Sequence, residues 1–173
     1  MDAAFCVFDT AIGPCGIAWR DGWIAGVQLP EGNEGRTRAR MRRRFPVATE
    51  ATPPPDVAAI VARVRRSLEG KSDPMLDVAL DWTGVAPFQQ RVYEVTRAIA
   101  PGRTLTYGEL ATAIGEPGAA RAVGQACGAN PLPILIPCHR VLAANGLGGF
   151  MHASRGAPLD VKTWLLAHER RAD

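Results

Sequence analysis

Predominantly apolar runs over 5–10, 16–20 and 24–29 have the length and composition of strands. Gly13-Pro14 and Asp21-Gly22 separate the three runs, and an Asp-Gly pair between two strand-like runs signals a tight hairpin. A small antiparallel meander is predicted. The pattern then turns helical. Residues 33–45 are rich in Arg and stop at Pro46, a Pro-rich connector covers 49–55, and a second helical stretch over 57–68 ends at Gly70. Residues 77–82 alternate like one more strand. Past a boundary near 84–87, Phe88, Val92, Val95 and Ile99 recur at the spacing of one helix face. The chain therefore divides into an α/β lobe over 1–85 and a second domain over 86–173, with no internal repeat.

In the second domain Thr106-Tyr107-Gly108-Glu109 forms a capping box in which Thr106 serves the amides of the first turn and Glu109 reaches back to the cap amide. A short helix to about Ile114 follows. Gly115-Glu116-Pro117 turns the chain, with Pro117 at the first position of a second helix over 118–127. The pair reads as a helix-turn-helix. Apart from Arg121, Val123 and Gln125, the second helix carries only small side chains, few of the long polar groups that read a major groove. Two readings fit: a slim helix entering a narrow groove with Arg121 as its projecting charge, or a helix packed closely in a core.

After Asn130-Pro131-Leu132-Pro133, the apolar run 134–136 reads as a buried strand leading into Pro137-Cys138-His139-Arg140-Val141. The thiolate is the nucleophilic form of cysteine, and a nearby base or positive field favours it. In regular strand conformation residues 138 and 139 would face opposite ways. Contact between them needs a turn, and otherwise a bridging water carries the proton. An ordinary packed Cys-His pair is the competing reading.

Composition narrows the field. The chain has 173 residues, 47% hydrophobic and 21% charged, enough apolar mass for a core and unlike a disordered chain. No apolar run approaches the ~20 residues of a membrane span, and the first residues show no basic segment followed by an apolar stretch, so no membrane and a cytoplasmic location are expected. Cys6, Cys15, Cys127 and Cys138 form no C-x-x-C pair, which argues against a zinc ribbon or a disulfide framework. The net charge of +3 arises in the second half: 1–85 hold 11 basic and 11 acidic residues, 86–173 hold 9 and 6. That half is the expected polyanion-binding face. The densest run, Arg36, Arg38, Arg40, Arg42, Arg43 and Arg44, reads as a solvated helix face, with a phosphate contact as the alternative.

Arg121-Ala-Val-Gly joined to Asn130-Pro and Pro137-Cys138-His139-Arg140 closely resembles the signature of the methylated-DNA-protein-cysteine methyltransferases, the alkylguanine-DNA alkyltransferases. Phe88-Gln89, Gly102-x-Thr104-x-Thr106-Tyr107-x-x-Leu110-Ala111, Gly146-x-x-Gly149 and Lys162-x-x-Leu165-Leu166-x-x-Glu169 extend the likeness over roughly 86–170. The resemblance implies a ribonuclease-H-like N-terminal α/β lobe and a C-terminal winged helix-turn-helix alkyltransferase domain. It implies that a monomer binds double-stranded DNA containing alkylated guanine from the minor groove and flips the damaged base. The alkyl group of O6-methylguanine, and of O4-methylthymine, would then pass irreversibly to Cys138. His139 would act as a base through water, Glu169 would orient it, and Asn130 would brace the turn. Tyr107, Arg121, Cys127, Val141, Phe150 and Met151 would meet the substrate, with Arg121 filling the space the base leaves. Thr106, Ala120, Arg121, Ala122, Gln125 and Arg140 would contact DNA. No metal and no cofactor are implied, and the protein would join the nucleoid when on DNA.

This chain departs from the family after Gly149. The stretch between Gly149 and Lys162 is several residues longer than the family's Tyr- and Gly-rich loop, Phe150 lacks a hydroxyl, and Cys127 stands where relatives often carry a larger apolar residue. Backbone amides near Met151 and Ala153 are expected to donate to guanine O6, and His152 to face solvent. Two other functions compete: a non-catalytic protein that binds alkylated bases, which Cys138 argues against, and a cysteine hydrolase with a Cys-His-Glu triad.

Overall fold

The computed structural model describes residues 3–152 and 157–171. The chain forms two compact units: residues 1–83 with Pro131–Leu135, and residues 84–130 with 136–173. The sequence reading placed all of 86–173 in one domain, whereas Pro131–Leu135 cluster with the first unit.

In the first unit, β1 (Ala4–Thr10), β2 (Gly13–Arg20) and β3 (Trp23–Gln28) form the antiparallel meander, and β4 (Thr49–Glu50) adds a short parallel edge to β1, giving the order β3-β2-β1-β4. Asp21 and Gly22 both take positive φ, 53° and 81°, the backbone that a two-residue hairpin requires. Gly13-Pro14 begins β2 instead of separating strands. The helices α1 (Glu34–Arg44) and α2 (Pro55–Leu68) complete the unit. Met41 of α1 packs with Phe5 and Ala18 of the sheet in the core. Residues 77–82 do not form a strand. Val78 and Leu80 are buried as the alternation requires, but the pairing is a single parallel bridge from Leu80 to Ile24, closed by Ile24 N–H to Ala79 and Asp81 N–H to Ile24.

The Arg-rich run is largely occupied within this unit. Arg38 pairs with Glu34 and Glu50, Arg42 with Glu50, and Arg44 donates to the carbonyls of Val27 and Pro131.

The second unit is helical: α3 (Pro87–Arg97), α4 (Tyr107–Ala113), α5 (Ala120–Gly128) and α6 (Ala157–Arg170), with a parallel pair β5 (Leu105–Thr106) and β6 (Val141–Leu142). The buried face of α3 is Val92, Tyr93 and Thr96, with Ile99 just beyond, so the predicted stripe is rotated toward Tyr93. Pro117 does not open the second motif helix, which starts at Ala120. The run 134–136 is not a strand either. It is a buried turn with Ile134 at φ 76°, because Pro131, Pro133 and Pro137 remove the donors that a ladder needs. Among the described residues no helix is long and apolar enough to cross a membrane.

Candidate active site

The cavity of the second unit is built from the ends of short elements. The capping box forms as predicted: Glu109 N–H donates to Thr106 Oγ1 at 3.1 Å, and Thr106 N–H to Glu109 Oε2 at 2.7 Å. It fixes Tyr107 as the first residue of α4. The Tyr107 hydroxyl donates to the Gly149 carbonyl at 3.4 Å, and burial holds the phenol above its usual pKa. On α5, Val123, Ala126 and Cys127 face inward, while Arg121, Ala122 and Gln125 are exposed and Ala120 is half-buried. The outer face of the helix thus carries one cation and one amide among otherwise small side chains.

A cavity of about 370 Å³ is lined by Tyr107, Arg121, Cys127, Cys138, Phe150 and His152 and by glycines between them. Gly128 allows one close approach there: a Cβ at this position would lie 2.7 Å from His152 Nδ1. His152, expected to face solvent, is exposed but also covers Gly128 at the cavity wall. Val141 and Met151 are not among the lining residues, although Val141 is fully buried and Met151 half-buried. The amide near Ala153 lies outside the described residues.

Cys138–Arg140 form a single 3-10 turn, closed by Arg140 N–H to the Pro137 carbonyl at 2.9 Å. The turn removes the opposition of side chains that a strand would impose. Asn130 supports it, donating from Nδ2 to the Ile136 carbonyl at 2.8 Å, and that carbonyl also accepts the Cys138 N–H at 2.8 Å. Cys138 is 3% exposed. Burial, then the neighbouring Cys127 thiol, pushes its pKa well above the ordinary thiol value, with Asn130 and Lys162 pulling the other way. The thiol is therefore neutral at rest, and a base is needed to ionise it.

The next residue in sequence is a histidine. His139 Nε2 lies 2.8 Å from Glu169 Oε1, and burial lowers the imidazole pKa despite the carboxylate. A neutral ring facing an ionised carboxylate carries its proton on Nε2 and donates it. Nδ1 then presents a lone pair, and it is buried without a hydrogen-bond partner among the described residues. Burial alone would raise the Glu169 pKa, but hydrogen bonds from His139 and Arg140 hold it at about 2.

Arg140 corrects one expectation. It is 5% exposed, donates in a fork to Glu169 at 2.7 and 3.0 Å and gives its third nitrogen to the Ile99 carbonyl at 2.6 Å. Its guanidinium is turned inward onto the carboxylate, which it neutralises, and not toward solvent. The role of Lys162 was missed. Fully buried, it donates from Nζ to the carbonyls of Val141 and Gly149 at 2.8 and 2.9 Å, and burial lowers its pKa to about 8. The signal was present, since Lys162, Leu165, Leu166 and Glu169 share one helix face. Among the described residues no group of three or more His, Cys, Asp or Glu side chains is arranged to hold a metal.

Residues 87–171 match the family described as 6-O-methylguanine DNA methyltransferase, DNA binding domain. The chain is 47% identical over 96 residues to the methylated-DNA–protein-cysteine methyltransferase of Salmonella typhimurium, covering 55% of this chain and 53% of that relative, so it spans about half the length of such relatives. It is 37% identical over 139 residues to the Mycobacterium bovis enzyme of that name, covering 80% of this chain and 77% of the other. The crystal structure of Mycobacterium tuberculosis OGT in complex with DNA superposes with a TM-score of 0.76 at 33% identity, covering 98% of this chain and 94% of that one.

Proposed function

The chain belongs to the methylated-DNA–protein-cysteine methyltransferase family, and from that membership and the geometry of its cavity we propose that it repairs O6-alkylguanine in DNA by taking the alkyl group onto Cys138, once per molecule. The observation that carries this reading is a buried thiol lining a cavity in one turn with a histidine whose Nδ1 has no partner among the described residues and whose Nε2 is held by a partly buried carboxylate.

The protein binds duplex DNA as a monomer from the minor groove. Ala120 and Ala122 let α5 approach closely, Thr106 and Gln125 meet the backbone, and exposed Arg121, at the cavity rim, fills the gap left by the flipped base. A relative crystallised with DNA supports this partner. The phenol of Tyr107, kept protonated by burial, donates to the flipped guanine. His139 Nδ1 accepts the Cys138 proton through a water, and Glu169 with Arg140 stabilises the imidazolium that results. Cys138 Sγ bonds to the alkyl carbon, the bond from that carbon to O6 breaks, and the guanine takes up a proton as it leaves. The bulk of Phe150 and Cys127 sets which alkyl groups fit. A thioether has no good leaving group at carbon, so the product is permanent.

The test is to incubate the protein with a duplex oligonucleotide containing O6-methylguanine and weigh it. One methyl per molecule, mapped to Cys138 and not exceeded with excess substrate, is expected. Tight binding with unchanged mass overturns the transfer, as does turnover of ester substrates without a mass gain.

A further inference from the structure

In the proposed transfer Cys127 contributes bulk, and the chemistry of its thiol is unused. This second thiol lines the same cavity as Cys138 and lies close enough to help push the Cys138 pKa up. Asn130 fixes their separation: its N–H donates to the Cys127 carbonyl at 3.3 Å, and its side-chain amide to the Ile136 carbonyl that also holds the Cys138 N–H. Tyr93 Oη, donating to the Ala126 carbonyl at 2.7 Å, secures the same end of α5. Lys162 Nζ, donating to the carbonyls of Val141 and Gly149, places a cation near the Cys138 sulfur, where it works against the effect of burial. Cys15, in the first unit, has no such setting: burial pushes it to about 11, with only the Thr10 hydroxyl, at 3.6 Å, working against that.

We propose that Cys127 is a second acceptor: when the group delivered to Cys138 carries a leaving group of its own, Cys127 displaces it and joins the two sulfurs through the alkyl chain. The inference rests on the transfer proposed above. Take a 2-haloethyl group on guanine O6. Cys138 Sγ bonds to the carbon attached to O6, that carbon–oxygen bond breaks, and the thiol proton ends on the guanine. The product is a β-halo thioether. Cys127 Sγ then attacks the carbon bearing the halogen, directly or after Cys138 Sγ has expelled the halide to form a three-membered sulfonium. The carbon–halogen bond breaks, halide leaves with its electron pair, and the Cys127 proton goes to solvent. No oxidant or reductant enters. Groups held in good alignment react as though at roughly 10⁵–10⁸ M, so the bridge forms ahead of attack by water or by a DNA base. The substrate class is the bifunctional alkylguanine, whose half-transferred adduct otherwise ties protein to DNA.

The probe is duplex DNA freshly treated with a chloroethylating agent, presented to the full chain beside DNA containing O6-methylguanine. A protein heavier by an ethylene bridge less two hydrogens, with the peptides of Cys127 and Cys138 joined, is expected. Methyl transfer alongside only a chloroethyl or hydroxyethyl group on Cys138, with Cys127 still open to iodoacetamide, overturns the second acceptor alone. Absence of transfer from both DNAs overturns the alkyl-transfer reading, and this proposal with it. A bridge mapped to Cys6 or Cys15 also overturns it. In Cys127→Ser, whatever its rate, the adduct that does form is expected to end as hydroxyethyl on Cys138 or as a link to DNA; a bridge of unchanged yield overturns the assignment.

Discussion

The first unit keeps its charges at the surface, whereas the second buries a set of them around one carboxylate. In the first, Arg63 grips Asp73 and Asp77 at 2.7–2.9 Å, yet the Asp77 side chain is 71% exposed. In the second, His139, Arg140 and Glu169 are 3%, 6% and 13% exposed, and Lys162 is sealed beside them. Exposed pairs contribute little because water solvates the ions nearly as well. Buried ions lose hydration that their partners only partly restore, so a packed apolar cluster would hold the fold at least as firmly. The difference teaches where selection for something other than stability has acted: a costly charged cluster beside a thiol is the signature of a site.

The largest expected effect removes the thiol that this cluster serves. Cys138→Ala is expected to abolish alkyl transfer while leaving affinity for duplex DNA within about twofold, since affinity comes from phosphate and groove contacts. A gel-shift titration beside the methyl-transfer assay checks both. Residual repair by this variant breaks the assignment of the nucleophile.

Next comes the carboxylate. Glu169→Gln leaves the Arg140 guanidinium buried without its counter-charge and is expected to lower stability by about 3–5 kcal/mol. The pH dependence of the native protein carries the same information. The Glu169 pKa is held near 2 when folded against an ordinary 4.5, so between those values the unfolded chain binds more protons and stability rises with pH. About 3 kcal/mol is fully present above pH ~4.5 and lost as pH falls toward 2. Denaturant melts of both proteins from pH 2 to 7 are expected to converge at the acid end. Parallel curves would show that Glu169 is not held as described.

For the rate, His139→Ala is expected to slow transfer by 10²–10⁴-fold near neutral pH, the usual contribution of a positioned base. Raising the pH restores it only partly. Because burial holds the Cys138 thiol well above the ordinary value, the rise is expected above the ~8.5 of a free thiol. A pH–rate profile of single-turnover transfer measures this, and a variant rate that plateaus by pH 8 would show the thiol to be less shielded than its 3% exposure implies.

Sequence reading succeeded where the determinants are local and failed where they cross the fold. The hairpin at Asp21-Gly22 and the box at Thr106 and Glu109 depend on residues within one turn of each other, so their types alone dictate the geometry. The run 134–136 is ambiguous because an apolar triplet fits a strand or a buried turn equally, and the prolines around it decide for the turn. Arg140 reads as a DNA contact in isolation. Its inward turn depends on Glu169 and Ile99, 29 and 41 residues away, and nothing between them in sequence announces it. The partnership of His139 with Glu169 became legible only through the family resemblance, and the packing of Cys127 against Cys138 depends on Asn130 bracing two segments at once.

The smallest expected effect returns to the surface of the first unit. Asp77→Asn removes one of the two carboxylates on Arg63, but Asp73 still accepts from two of its nitrogens at 2.7 and 2.9 Å. No charge is stranded, because the guanidinium keeps its other partner and Asp77 sits largely in water. The cost is expected to be about 0.2–1 kcal/mol at low salt and smaller in 0.5 M salt, where counter-ions screen exposed charges more strongly. Urea melts at the two salt concentrations measure it. A loss approaching that of Glu169→Gln would mean that the surface cluster is as tightly coupled as the buried one, and the contrast between the two units would then rest on exposure alone and not on energetics.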